Sequence, residues 1–294
     1  MGNFDGVHLG HAAIIKRIQH WAKQVSGPSV VFTFDPHPVR LLRPELAPPP
    51  LTWTQRKAEL LDQLQVDFMI AWPTDRALLS LSYQDFFDQV ILKKLNAAAI
   101  VEGPNFFFGK DRQGDTQRLQ ELCQNHEIAC EIVQPSVVGK DLISSTRIRQ
   151  LVKEGEVGKA RAMLTQPYRI RGMVVHGAGR GSELGFPTAN LDAIDTLLPN
   201  VGVYAGLATI DQDRYVAAIH IGPSPTFGVE RPSVEIFVLN FQKRIYGEVL
   251  EIDFLEQLRG IENFDSAEQL ITQMNHDVDR ARKIGSTFLQ QIKL

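Results

Sequence analysis

Up to Pro167 this sequence alternates short apolar runs with segments of helical periodicity, and beyond Pro167 strand follows strand. That change restricts the fold more than any other feature. In the first part Ser29 to Phe34 reads as a buried strand that stops at Asp35-Pro36-His37-Pro38, where two prolines exclude both ladder pairing and a helix interior. A helix over 54–64, a strand over 68–71, a helix over 83–95 and a strand over 98–102 continue the βα alternation. Such alternation builds an open α/β sheet, whose ligands gather at the carboxyl ends of the strands. A short helix over 155–166 leads to the boundary. After it come strands near 170–175, 204–210, 215–221, 234–241 and 249–254. Five or six short strands in succession call for an antiparallel sheet or small barrel. Ser266 and Gln269 then form a capping-box pattern, and Leu270, Met274, Val278, Ala281 and Phe288 give a closing helix one apolar face. Two domains are expected, over 1–166 and 167–294.

Composition removes several classes of function. A net charge of −3 offers no electrostatic case for binding nucleic acid or an anionic membrane, and no apolar run is long enough to span a bilayer. Cys123 and Cys130 form neither a CxxC pair nor a disulfide framework, and motif residues follow Met1 at once in place of a secretory signal. A cytoplasmic enzyme is expected; oligomeric state is not legible.

The densest motif is Gly2-Asn3-Phe4-Asp5-Gly6-Val7-His8-Leu9-Gly10-His11, directly before a helix patterned by Ile14, Ile15, Ile18, Trp21, Ala22 and Val25. A helix N-terminus with glycines beside it accepts a polyanion. Two imidazoles one turn apart there can hydrogen-bond a phosphorus centre as charge builds up in nucleotidyl transfer. Alone, the histidine pair reads better as a metal-site fragment or as surface residues; it is the full ten-residue run that is specific. In Ile143-Ser144-Ser145-Thr146-Arg147-Ile148-Arg149 the hydroxyls suit an N-cap, but arginine in a first helical turn opposes the macrodipole and points to a bound anion such as pyrophosphate. Phe106, Phe107 and Phe108 fit either core or an aromatic platform.

Two features of the second part carry chemistry. The stretch 176–190 joins the turn glycines Gly177, Gly179 and Gly185 to Pro187, Thr188 and Asn190. Oxygen donors two residues apart suit Mg²⁺, although the glycines alone also fit a surface hairpin. It is neither a Walker A loop nor a dinucleotide fingerprint. Glu235 shares a strand face with Phe237, Leu239 and Phe241. If that face looks into a barrel, desolvation raises the carboxylate pKa and suits a general base. The opposite orientation, with Val234, Ile236 and Val238 inward, stays open because both faces are apolar.

Together these residues closely resemble the bifunctional bacterial riboflavin kinase/FMN adenylyltransferase (FAD synthetase) family. The resemblance is carried by GNFDGVHLGH (2–11), FDPHP (34–38), GPNFFFG (103–109), ISSTRIR (143–149), LGFPTAN (184–190), GVYAG (202–206), PTFG (225–228) and VEIFVLNF (234–241). It implies a Rossmann-like nucleotidyltransferase domain followed by a six-stranded antiparallel kinase β-barrel with a C-terminal helix. It further implies that riboflavin is phosphorylated to FMN and FMN adenylylated to FAD with release of pyrophosphate, with ATP as co-substrate and Mg²⁺ as cofactor. By the same resemblance Glu235 deprotonates the ribityl 5′-hydroxyl, Thr188 and Asn190 hold metal and phosphates, and His8 and His11 stabilise the α-phosphate transition state. Gly2, Asn3, Phe4, Asp5, Gly6, Gly177, Gly179, Gly185 and Pro187 line nucleotide sites. Ser144, Ser145, Thr146 and Arg147 grip pyrophosphate, and Asp35, His37 and Asn105 contact flavin. Family members have a strand before GNFDGVHLGH, so the first strand is expected to be missing here. The alternative is therefore a riboflavin kinase whose first domain is inactive or only binds flavin.

Overall fold

A computed structural model describes residues 1–177, 179–223 and 232–292. The PTFG stretch lies outside the described residues. The chain divides into two compact units, Met1–Pro48 with Trp53–Ser144, and Pro49–Thr52 with Ser145–Leu294.

In the first unit α1 (Leu9–Gln24), β1 (Val30–Asp35), α2 (Thr54–Gln63), β2 (Phe68–Pro73), β3 (Ala99–Glu102), α3 (Thr116–Asn125) and β4 (Ala129–Ile132) follow in order. β1 pairs parallel with β2, and β3 with β4. No strand joins the two pairs among the described residues. Between them lies a cavity of about 440 Å³ lined by Met1, Trp21, Val30, Phe32, Ile70 and Ile100, among others. The helix expected over 83–95 is a short α-turn, Tyr83–Phe86, continued by π-type winding over Phe87–Lys94. Phe86 of the first segment and Phe87, Val90 and Ile91 of the second are buried in the core around Phe32, Ile100 and Leu119. Sequence reading passed over α3 and β4. α3 fully buries only Leu119 and Cys123, with Leu122 partly buried and the rest polar, and β4 has four residues, too few for a periodicity to stand out.

The second unit begins with α4 (Ser145–Lys153) and α5 (Val157–Met163). Next come β5 (Tyr168–Val175), β6 (Ala189–Asp192), β7 (Gly202–Ile210), β8 (Asp213–Gly222), β9 (Ser233–Val238), β10 (Val249–Arg259) and the closing helix α6 (Ala267–Gln291). The six strands close into an antiparallel barrel in the order β8-β9-β6-β5-β10-β7. Cross-strand partners share a face, so the pairs Ile219–Ile236, Ile219–Tyr204, Val234–Leu191 and Val174–Leu191 trace one continuous buried interior. Fully burying each such side chain contributes about 1.5–3 kcal/mol. α5 lies against β10, which is why packing groups α4 and α5 with the barrel although the strand pattern starts only after Pro167.

α6 covers part of the barrel's outer face. Ala281 meets Val203, Ala205 and Leu258, while Val278 meets Phe186 and Leu239. A Cβ on Gly285 would stand 2.7 Å from Val216, so the helix approaches β8 at a distance that only glycine permits.

Candidate functional site

Chemistry-bearing residues gather at one place in each unit. In the first, His8 is the N-cap of α1 and the two histidines cap each other. The His11 N–H donates to His8 Nδ1 at 3.2 Å, and the His8 N–H donates to His11 Nδ1 at 3.3 Å. This is a capping box with imidazoles in both side-chain roles. The rings stack with centroids 3.6 Å apart and planes inclined by 13°. Burial pushes the His8 pKa down to about 4, and burial together with the His8 and Lys57 charges holds His11 well below its ordinary value. Both rings are therefore neutral at pH 7. Because each Nδ1 accepts a backbone N–H, the ring proton sits on Nε2, leaving a matched pair of N–H donors. The sequence located the pair, but the tautomer depends on geometry.

The turn before α1 is strained. Phe4 (φ 45°) and Val7 (φ 39°) hold left-handed backbone although neither is glycine, and Gly6 (φ 85°) joins them. Phe4 and Val7 are clamped in a core with Ile15, Val31 and Leu60, so packing supports the strain. A Cβ on Gly10 would lie 3.1 Å from the His8 ring, which explains the small residue inside the HxGH motif. Asp5 is buried in the same turn, after Gly2 and Asn3. Below it Thr33 Oγ1 donates to the Asn3 carbonyl at 3.3 Å.

The residues expected at flavin are distributed around the carboxyl ends of the strands. Asp35 ends β1, and its Oδ2 accepts from Thr54 Oγ1 at 2.7 Å. His37 Nδ1 accepts from the Val39 N–H at 3.1 Å and caps a short helix, Pro38–Leu42. Asn105 is exposed in the turn after β3. Both readings of the phenylalanine triplet apply in part. Phe108 is core, stacked on Phe106, whereas Phe107 is exposed with the Arg112 guanidinium 4.2 Å from its ring centroid. Ser144 ends the first unit, and Ser145, Thr146 and Arg147 form the first turn of α4, whose Ile148, Leu151 and Val152 are buried.

In the second unit the orientation of Glu235 is decided. Val234, Ile236 and Val238 are buried in the barrel, so Glu235 and Phe237 are on the outer face and not in the interior. The cause is α6, which gives the outer face an apolar cover of its own and makes both faces of β9 apolar. On that face Glu235 stands directly opposite Asn190 on β6 and His220 on β8. Thr188 Oγ1 donates to Glu235 Oε2 at 3.4 Å. Glu235, Thr188, His220, Phe186, Phe237 and Arg259 line one side of a cavity of about 380 Å³, closed on the other by α6. Burial lowers the His220 pKa, leaving its imidazole neutral beside the carboxylate. Sequence reading missed His220 and Arg259, because the first lies in an apolar strand and the second at a strand end. Cross-strand register is the signal that finds them.

The glycine-rich turn rests on this row. A Cβ on Gly177 would stand 2.1 Å from Asn190 Nδ2, and one on Gly181 2.5 Å from the Phe186 carbonyl. Gly179 (φ 73°) and Gly185 (φ 88°) take left-handed backbone, and Pro187 is exposed next to Thr188. Gly177→Ala is expected to displace the Asn190 amide and to lower at least tenfold the phosphoryl transfer that the sequence resemblance implies here. Formation of FMN from riboflavin and ATP is the measurement, with FAD formation from FMN unchanged.

The donor set fits a hard cation. Thr188 hydroxyl, Asn190 amide and Glu235 carboxylate supply oxygens on one face, and Mg²⁺ completes such a set with water and phosphate oxygens. Among the described residues no cluster of three His, Cys, Asp or Glu side chains offers an all-protein metal site.

Comparison with known proteins finds a family match in each half of the chain. Residues 1–147 match the family model described as FAD synthetase, and residues 164–285 the one described as riboflavin kinase. The chain is 35% identical to the bifunctional riboflavin kinase/FMN adenylyltransferase of Listeria monocytogenes, over 96% of this chain and 90% of that one. It is 33% identical to the protein of the same name from Pseudomonas fluorescens, over 97% of this chain and 92% of that one. A crystal structure described as a macrolide-efflux protein from Streptococcus pneumoniae superposes with a TM-score of 0.86 at 32% identity, covering 96% of this chain and 92% of that one. Among the described residues of this chain no helix is long and apolar enough to cross a membrane.

Proposed function

This chain belongs to the bifunctional riboflavin kinase/FMN adenylyltransferase family, and we propose that it phosphorylates riboflavin to FMN and adenylylates FMN to FAD, using ATP in both steps. The observation that supports this reading is the presence in one chain of two donor clusters, each suited to one of the two phosphorus transfers. One is a pair of neutral imidazole donors at a helix N-terminus; the other is a carboxylate flanked by hydroxyl and amide over a cavity. The kinase-only alternative is disfavoured because the first half keeps both histidines and the glycine turn in a donor geometry. We assign the adenylyltransferase to residues 1–166 and the kinase to 167–294, in a cytoplasmic enzyme.

In the kinase step Glu235 takes the proton of the ribityl 5′-hydroxyl as that oxygen attacks the γ-phosphorus, and ADP leaves. Thr188 and Asn190 would hold Mg²⁺ and phosphates, with Gly177, Gly179, Gly185 and Pro187 shaping the nucleotide turn. Bound Mg²⁺ supplies positive charge against the phosphate oxygens. In the second step an FMN phosphate oxygen attacks the α-phosphorus of ATP, and the bond to pyrophosphate breaks. His8 and His11 donate their Nε2–H groups to the α-phosphate, strengthening as charge develops. Gly2, Asn3, Phe4, Asp5 and Gly6 cradle the nucleotide, Ser144, Ser145, Thr146 and Arg147 hold the leaving pyrophosphate, and Asp35, His37 and Asn105 meet the flavin. Incubating the purified chain with riboflavin, ATP and Mg²⁺ and separating the flavins by chromatography tests the reading. FMN and FAD are both expected; FMN without FAD would overturn the second activity, and no turnover would overturn both.

A further inference from the structure

Lys57 projects from α2 into the first unit with 8% of its surface exposed. Burying an ammonium is costly unless a charge partner or full hydrogen bonding offsets the loss of water. Lys57 has neither. Among the described residues its Nζ makes one hydrogen bond, to the neutral Thr33 Oγ1 at 3.3 Å, although an ammonium carries three donors. Thr33 Oγ1 in turn donates to the carbonyl of Asn3, which fixes the ammonium directly beneath the turn that precedes His8 and His11. Burial lowers the Lys57 pKa, while Asp5 and Asp35 oppose that shift and favour the charged form.

The histidines sharpen the question. Both are neutral, so their Nε2–H groups donate hydrogen bonds and bring no net charge. A phosphoryl centre under attack spreads negative charge over its oxygens, and fixed positive charge is the strongest stabiliser of it. Neither the turn residues Gly2 to Gly6 nor the first turn of α1 contains a cation. Two buried cations act on His11: the N-terminal ammonium of Met1, which is already paired with Glu102, and Lys57, which has no such direct partner among the described residues.

We propose that Lys57 is a catalytic residue of adenylyl transfer, its ammonium contacting ATP phosphate oxygens next to the His8–His11 donor pair. The proposal rests on the adenylyltransferase reading of this site. An FMN phosphate oxygen forms the new bond to the α-phosphorus, and the bond to the β-phosphate oxygen breaks with its electron pair passing to pyrophosphate. Lys57 donates hydrogen bonds and charge throughout, without giving up a proton. Thr33 holds the ammonium until the nucleotide arrives, and the phosphates then take the donors that Thr33 leaves unused.

The test measures FAD formation from FMN and ATP by the full chain. If the unsubstituted chain forms no FAD, the adenylyltransferase reading fails and the proposal with it. If it does, Lys57→Met, similar in length and uncharged, is expected to lower kcat/KM by about 10²- to 10³-fold. Inhibition by added pyrophosphate is expected to weaken by about tenfold, with Lys57→Arg restoring part of both. A lysine that only braces Thr33 would change the melting temperature while kcat/KM and pyrophosphate inhibition stayed near wild type, and that result would overturn the proposal. Should Lys57→Met not fold, the unsubstituted chain carries the test. With ¹⁵N-labelled lysine, the Lys57 Nζ signal, assigned by its loss in Lys57→Arg, is expected to shift on adding pyrophosphate; an unmoved signal would overturn the proposal.

Discussion

Replacing Glu235 with glutamine is expected to cut FMN formation from riboflavin by about 10²- to 10⁴-fold, the usual contribution of a general base. The substitution keeps the shape of the side chain, and the glutamine carbonyl still accepts from the Thr188 hydroxyl, which stands 3.4 Å from the carboxylate in the unsubstituted chain. What it removes is the capacity to take a proton. The cavity should persist, because its apolar walls, Phe186, Phe237 and Val278, do not depend on the charge. FAD formation from supplied FMN should be unaffected, since that chemistry belongs to the other unit. Chromatographic separation of riboflavin, FMN and FAD reads both steps in one experiment. Near-normal FMN formation would remove Glu235 from the role of base.

His11→Ala is expected to abolish FAD formation from supplied FMN while leaving FMN formation intact. Losing one preorganised donor to a developing oxyanion costs about 10²- to 10³-fold. The substitution also deletes half of the reciprocal cap, so the His8 N–H loses its acceptor and the stacked His8 ring loses its neighbour. Loss of a cap costs about 1 kcal/mol, enough to blur the aim of His8 without unfolding the unit. Normal FAD formation in this variant would refute the assignment.

Neutral, buried imidazoles also set a pH signature. The folded-state pKa of His8 lies near 4 while the unfolded chain titrates near 6.5, so between these values the unfolded state binds the extra proton. Stability is therefore complete above pH 6.5 and falls as the pH drops towards 4, by at most about 1.4 kcal/mol per pH unit for each such histidine. Denaturant titrations of the full chain at pH 7.5 and 5 should show the loss, and His8→Asn should reduce the dependence. A pH-independent midpoint would contradict the neutral buried pair.

Much of the architecture was legible because strong local signals agreed. Two prolines after Phe34 end a strand that the structure finds at Val30–Asp35, and the capping-box pattern at Ser266 opens a helix that runs to Gln291. Elements with weak local signals were not legible. α3 shows two buried residues in ten, and β6 is a four-residue strand whose importance comes from placing Asn190 beside Glu235. The helix expected over 83–95 changes winding partway, with the Leu95 N–H donating to the Val90 carbonyl at 2.9 Å, and composition carries no mark of that.

The candidate sites divide along the same line. Sequence by itself determined which residue types are present and in what order: the HxGH pair at a helix entry, the oxygen donors Thr188 and Asn190, and one carboxylate in an apolar strand. Those patterns are local, and local spacing is what a chain can display. Only the tertiary structure decided that Glu235 lies outside the barrel, because α6, at the far end of the sequence, supplies the second apolar surface against which that face is buried. It alone decided the Nε2–H tautomers of His8 and His11, which follow from hydrogen-bond geometry and burial. It also brought Lys57 beneath the glycine turn and His220 opposite Glu235, each across a strand pairing or helix packing that no short stretch of sequence encodes. Sites of this kind are made by long-range contact, and long-range contact is what a one-dimensional pattern leaves open.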